Sequence, residues 1–166
     1  YNRKKLLSEN IEALVNQTYK NFEFFICDNA STDGTEIFVK EQMRKYPFIR
    51  YYNTGANLGG AGGFSYGLKK IVQKGYQYCW IMDDDVICDK DSLTELMKVH
   101  CEIGNVGFVC SSVFAPNGLA MNTPHLDNSL NSNYYSGWYD EIEKNAIRVD
   151  AATFVSVLFS TELIRK

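Results

Sequence analysis

The chain has 166 residues, 45% of them hydrophobic and 14% aromatic, enough to bury a core within one domain and too apolar for a disordered segment. Its 17 basic and 20 acidic residues leave a net charge of -3, without the basic excess that nucleic acid would select. No stretch approaches the ~18 uninterrupted apolar residues of a membrane span, so surface attachment is the membrane association left open.

Leu6, Leu7, Ile11, Leu14 and Val15 share one face of a helical pattern, which predicts an amphipathic helix over 5–17. The aromatic run 21–28 reads as a buried strand that ends in a carboxylate, Asp28. A polar turn, 29–35, leads into a helix over 36–46, with Asp33 or Thr35 available to cap it and Gly34 supplying a permissive backbone. Pro47 stops that helix, and 48–52 is a second short strand, so one strand-helix-strand crossover is complete.

Residues 55–63 hold five glycines in nine positions and run into a helix through Gln73, with Phe64, Leu68, Ile71 and Val72 facing inward. Neither phosphate motif fits: Ser65 stands where the dinucleotide fingerprint needs glycine, and Gly67-Leu68-Lys69 is not a Gly-Lys-Ser/Thr loop. Two readings of the glycines stay open, a backbone that approaches an anionic ligand at a helix start and a close helix packing contact.

The strand over 78–83 ends in Asp83-Asp84-Asp85 before Val86 and Ile87 restore hydrophobicity. In α/β sheets ligands collect beyond the carboxyl ends of strands. Two carboxylates ~6 Å apart repel by about 2.8 kcal/mol at an effective dielectric of ~20, a cost that a hard divalent cation converts into binding. If extended geometry persists, Asp83 and Asp85 lie on one face about 6.6 Å apart and Asp84 points elsewhere.

A helix follows over 92–99, with Asp89 and Asp91 read as its caps and His100 as helix surface or edge of core. Residues 106–114 read as one strand, 116–118 as a turn folding 119–122 back beside it, and 149–159 as a long closing strand before a helix at Ser160. Residues 123–137 are polar, rich in Asn and Ser, and without period, in keeping with a lid or binding segment. Tyr134, Tyr135, Trp138 and Tyr139 beside it suit either sugar stacking or an ordinary core patch. The five cysteines, Cys27, Cys79, Cys88, Cys101 and Cys110, read as reduced core thiols of a cytoplasmic protein, and with His100 and His125 they make no zinc spacing. There is no visible secretory signal, repeat or linker. The expectation is a single α/β domain, 1–166, that is truncated at both ends.

Tyr1-Asn2-Arg3, the run from Gln17 into Asp28-Asn-Ala-Ser-Thr-Asp-Gly-Thr35, the segment Asn57-Leu-Gly-Gly-Ala-Gly-Gly63 and Asp83-Asp-Asp85 together resemble family 2 glycosyltransferases, with the glycine run similar to the galactofuranosyl- and rhamnosyltransferase branch. The resemblance implies a Rossmann-like GT-A fold with a mostly parallel central sheet. It implies that Tyr1 and Arg3 contact a nucleotide, that Asp28 accepts a hydrogen bond from a pyrimidine, and that Asn57 and Gly60 lie near the donor. Asp83, Asp84 and Asp85 match the DXD motif, with Asp83 and Asp85 toward the ribose and an Mn²⁺ or Mg²⁺ ion. The implied reaction is inverting transfer of a sugar from a UDP- or dTDP-linked donor to a glycan or glycolipid hydroxyl, in cell-surface polysaccharide or glycolipid synthesis at the inner face of the membrane.

The chain departs from the family pattern at both ends. The first strand is expected before Tyr1, and the acidic motif carrying the base beyond Lys166, so no catalytic base is named; Asp127 and Asp150 read as loop or strand-edge residues. Two rivals follow: a nucleotide-sugar-binding module that does not catalyse, and a haloacid-dehalogenase-type phosphatase built on Asp83-x-Asp85.

Overall fold

The computed structural model describes residues 1–126 and 146–164. Its first element is α1 (Lys4–Val15), which buries Leu7, Ile11 and Leu14 at helical spacing while Lys5 and Glu12 face solvent. β1 (Phe24–Asp28) and β2 (Ile49–Asn53) pair in parallel, from Phe24 opposite Ile49 to Asp28 opposite Asn53, and α2 (Thr35–Lys45) makes the crossover between them. Leu7, Ile11, Ile26, Val39 and Ile49 form the core on this side. On α2, Ile37 is exposed and Val39 is fully buried.

α3 (Gly59–Lys74) begins inside the glycine run and lies against β1, and Gly75 ends it in the left-handed conformation. β3 (Tyr78–Met82) ends immediately before the acidic triplet, one residue short of the expected strand, and α4 (Ser92–Ile103) runs four residues beyond the expected helix. After β4 (Phe108–Cys110) comes a hairpin, β5 (Val113–Phe114) with β6 (Ala120–Met121), closed by the turn that the sequence predicts at Pro116–Gly118. The backbone of β7 (His125–Leu126), expected within the loop, pairs with β8 (Val149–Ala151). β9 (Ser156–Ser160) lies antiparallel between β3 and β4, and its Leu158 packs on Leu93 and Leu96 of α4.

The described strands thus depart from a mostly parallel sheet. Only β1 and β2 are parallel, and β3, β9 and β4 form an antiparallel ladder. Both long strands read from apolar runs are broken because their halves serve different partners. Ser111 leaves β4 to bond Ser156 by backbone and hydroxyl, and residues 152–155 carry the chain from β8, paired with β7, to β9. β1 and β3 are not hydrogen-bonded to each other, and between them lies a cavity of about 1230 Å³ walled by residues 24–27 of β1 and all of β3.

Two buried amides of the first helical segment tie it to the chain that follows β3. Asn10 donates to the Val86 carbonyl at 2.7 Å. Gln17, fully buried, donates to the Asp89 carbonyl at 2.7 Å and accepts the Leu93 N–H at 3.0 Å. Leu93 is in the first turn of α4, so the helix is capped from another element. Asp91 occupies the N-cap position without a side-chain bond, which corrects the reading of Asp89 and Asp91 as its caps. A carboxamide suits this buried place because it satisfies a donor and an acceptor together without burying charge. Gln17→Ala leaves both an N–H and a carbonyl unpaired and should cost about 2–4 kcal/mol in denaturant unfolding. A loss below ~0.5 kcal/mol would show that water replaces the amide.

Candidate functional site

The carboxyl ends of β1 and β3 meet at one rim because the residues before α1 bridge them. Asn2, at φ 55°, donates its N–H to the Ser31 hydroxyl at 2.9 Å, and its Oδ1 accepts the Thr32 N–H at 2.8 Å. Asn tolerates this left-handed conformation better than most residues. The next residue, Arg3, places Nη1 2.9 Å from Asp84 and Nη2 2.6 Å from Asp85. Lys4 donates its N–H to Asp33, which also accepts from the Thr35 N–H and hydroxyl and is held below the usual carboxylate range, chiefly by the Thr35 hydroxyl. Asp33 thus secures the start of α2, whose N-cap residue is Gly34 at φ 83°.

Asp28 is buried, with Ser31 N–H on one oxygen and the Tyr51 hydroxyl on the other at 2.7 Å. A carboxylate has about four acceptor sites, so these bonds leave capacity for another donor. Burial and the bond to Asp28 push the Tyr51 phenol well above its ordinary value, keeping it a donor. Tyr1, Arg3, Asp28 and Asp84 line a small cavity of about 50 Å³ with Ser31 and Thr35. The larger cavity between β1 and β3 brings together Tyr1, Arg3, Asn57, Gly60, Asp83 and Asp84. Asp85 joins this set through Arg3. Asp127 and the aromatic cluster Tyr134, Tyr135, Trp138 and Tyr139 lie outside the described residues, and Asp150 is exposed on β8.

The triplet does not continue the strand. The backbone turns at Asp84 and Asp85, and the Val86 N–H returns toward the Asp83 carbonyl, so the alternation expected from extended geometry is replaced by Asp84 and Asp85 both reaching Arg3. Asp83, less exposed, is pushed above the ordinary carboxylate range by burial first and then by the charges of Asp85 and Asp84. Cys27 and Cys79, on the two strands flanking the larger cavity, are pushed by burial up to about 11 and about 12, so both are neutral thiols at pH 7.

The glycine run serves both of its readings, at different positions. A Cβ on Gly67 would come within 2.9 Å of Cys27 Sγ, and one on Gly63 within 3.1 Å of Asn29 Nδ2, so these two glycines let α3 approach β1. Gly59, at φ 70°, and Gly60 have open space beside them, and Asn57 Oδ1 accepts the Gly59 N–H at 2.9 Å. Asn29, to which the sequence reading gave no role of its own, fixes this start by donating to the Gly59 carbonyl at 3.0 Å. Asn2, Asn29 and Gln17 were missed as site-building residues because each bonds across about 30 positions or more, a separation that local patterns do not register.

Gly67→Ala should cost about 1–3 kcal/mol by overpacking against Cys27. Gly60→Ala should be neutral or up to ~1 kcal/mol stabilising, from the better helix propensity of Ala. Equal losses at both positions, measured by denaturant unfolding, would refute this division. For Asp83 the sign runs against ionisation: its folded value lies above the unfolded one, so the folded state holds the extra proton and stability falls as pH rises through the interval between them. Under chelator, Asp83→Asn should raise Tm at neutral pH, and the advantage should shrink below about pH 4. An Asn variant less stable at pH 7 would contradict this.

Residues 1–160 match the profile of the family described as Glycosyl transferase family 2. The abequosyltransferase RfbV of Salmonella typhimurium is 39% identical over 99 residues, 58% of this chain and 29% of its own length. The galactofuranosyltransferase GlfT1 of Mycolicibacterium smegmatis is 31% identical over 86 residues, 51% of this chain and 27% of its own length. The crystal structure of S. aureus TarS 1-349 superposes on 99% of this chain with a TM-score of 0.72 at 19% identity, and the match spans 46% of that chain. The α/β architecture is therefore the Rossmann-like GT-A fold, and a profile match over nearly the whole sequence shows that the chain belongs to glycosyltransferase family 2.

Proposed function

We propose that this chain forms the donor-binding part of an inverting, metal-dependent glycosyltransferase that moves a sugar from a UDP- or dTDP-linked donor to a hydroxyl of a glycan or glycolipid. The observation that carries this reading is the convergence of Tyr1, Arg3, Asn57, Gly60, Asp83 and Asp84 on one cavity at the carboxyl ends of β1 and β3. Family relatives that act on abequose and galactofuranose support a role in surface polysaccharide or glycolipid synthesis. Among the described residues no helix is long and apolar enough to cross a membrane, so contact with a lipid-borne acceptor at the inner face would be peripheral for this part of the protein. Family membership removes the support for the phosphatase reading, which rested on Asp83-x-Asp85 alone.

Each residue has a chemical part. The buried Asp28 would accept from the base, as Ser31 and Tyr51 hold its carboxylate in a fixed orientation. The open backbone at Gly59 and Gly60 would let the donor approach the first turn of α3, where unpaired N–H groups favour phosphate. Among the described residues no three His, Cys, Asp or Glu side chains converge into a metal cage. Mg²⁺ and Mn²⁺ do not need one: such ions are held by one or two carboxylates together with substrate phosphates and water, and the oxygen-only set of Asp83 and Asp85 fits that chemistry. When bound, the ion supplies electrostatic stabilisation of charge on the leaving diphosphate. We assign no base; Asp150 on β8 is exposed.

Calorimetric titration with UDP- and dTDP-sugars, with and without Mn²⁺, tests the reading. Binding should require Mn²⁺ and fall at least tenfold in Asp85→Ala. Binding of equal strength without metal would remove the role given to Asp85.

A further inference from the structure

Arg3 stands where a cation is needed. Its two terminal nitrogens take one oxygen each from Asp84 and Asp85, at 2.9 and 2.6 Å, and neither arm reaches Asp83. The guanidinium therefore neutralises part of the carboxylate group that the preceding reading gives to a divalent ion. Two further observations show that the contact is built to open. The Arg3 backbone is fixed: its carbonyl accepts the Leu7 N–H at 3.0 Å in the first turn of α1, and Asn2 before it is bonded to Ser31 and Thr32. Its side chain is not enclosed, being 44% exposed, against 30% for Asp84 and 43% for Asp85. Ion pairs this exposed are weak and reversible, since water and salt compete for both partners. Arg3 lines both the larger cavity, with Asn57 and Gly60, and the smaller one, with Asp28, so a guanidinium released from the carboxylates has the donor cleft within its reach.

We propose that Arg3 is an internal counter-ion that occupies the acidic turn in the empty site and exchanges its carboxylate partners for donor phosphate oxygens when a divalent ion arrives. The exchange leaves every charge paired: the ion replaces the guanidinium on the carboxylates, and the diphosphate replaces the carboxylates on the guanidinium, which binds phosphate in the same two-pronged geometry. Metal and nucleotide then bind with positive coupling, equal in both directions. Without nucleotide, Arg3 opposes the metal.

This inference rests on the reading of Asp85 as a cation ligand, and the test separates the two. Mn²⁺ affinity is measured by calorimetry, in the presence and absence of UDP and of dTDP, for the wild type, Arg3→Gln, Arg3→Lys and Asp85→Ala, each checked by Tm for folding. In the wild type, nucleotide should raise Mn²⁺ affinity at least tenfold. Arg3→Gln should bind Mn²⁺ alone about three- to tenfold more tightly than the wild type and lose most of the nucleotide coupling, and Arg3→Lys, which keeps the charge without the fork, should fall between. Unchanged or weaker Mn²⁺ binding by Arg3→Gln alone, with Asp85→Ala still abolishing it, overturns the counter-ion role and spares the cation site. Mn²⁺ binding indifferent to Asp85→Ala, or absent from every protein with and without nucleotide, overturns both.

Discussion

The acidic turn is held in place by the amides of Asn10 and Gln17. Asp83, Asp84 and Asp85 have no regular secondary structure to fix them, and three adjacent carboxylates favour any arrangement that spreads them apart. What resists that spreading is attachment at both ends: β3 before the turn, paired with β9, and the carbonyls of Val86 and Asp89 after it, bonded to Asn10 of α1 and to Gln17, two residues beyond the helix. Because Gln17 also caps α4 through Leu93, one buried side chain sets the exit of the turn and the entry of the next helix. The turn then inherits the rigidity of three elements without contributing a core residue of its own.

Arg3 is carried into the site by the same helix. Its position is fixed by α1 from behind and by Asn2 from the front, so helix and acidic turn are registered to each other twice: through buried neutral amides inside and through an exposed ion pair at the rim. The two kinds of contact differ in kind of strength. Buried hydrogen bonds are costly to break because the freed groups have no water, whereas exposed ion pairs contribute little and reopen easily. The interior link suits architecture and the rim link suits exchange.

The sequence made the order of elements legible where one residue run served one neighbour. The aromatic strand ending at Asp28, the apolar strand ending before Asp83 and the hairpin around Pro116–Gly118 all appear within a few residues of their expected limits. It misled where one apolar run served two neighbours. Residues 106–114 and 149–159 have strand composition throughout, but Ser111 and residues 152–155 divide them between partners far away in sequence, and β9 enters its sheet antiparallel. The site followed the same rule. Asp28 and Asp83 could be placed at strand ends from local pattern, whereas the turn at Asp84 and Asp85, the bond from Gln17 to Leu93 and the pairing with Arg3 depend on tertiary proximity. The glycines were ambiguous for a related reason: Gly60 and Gly67 are indistinguishable in composition, and only the neighbour across the gap, open space or Cys27 Sγ, separates them.

The electrostatics of the rim also limit how a nucleotide diphosphate can be bound here. Asp28, Asp83 and Asp84 line the cavities with a single guanidinium, Arg3, and Asp85 stands beside them in its ion pair with Arg3. A diphosphate brought to this rim unaccompanied would meet carboxylates at separations where each like-charge pair costs on the order of 3 kcal/mol at an effective dielectric of ~20. Backbone N–H groups at the start of α3 carry only about half a positive charge between them and cannot offset several such pairs. Burial first, and then the charges of Asp85 and Asp84, push Asp83 above the ordinary carboxylate range. On the proposed reading, positive charge would enter together with a diphosphate bound here, and its ligands would include Asp85, which Arg3 now holds.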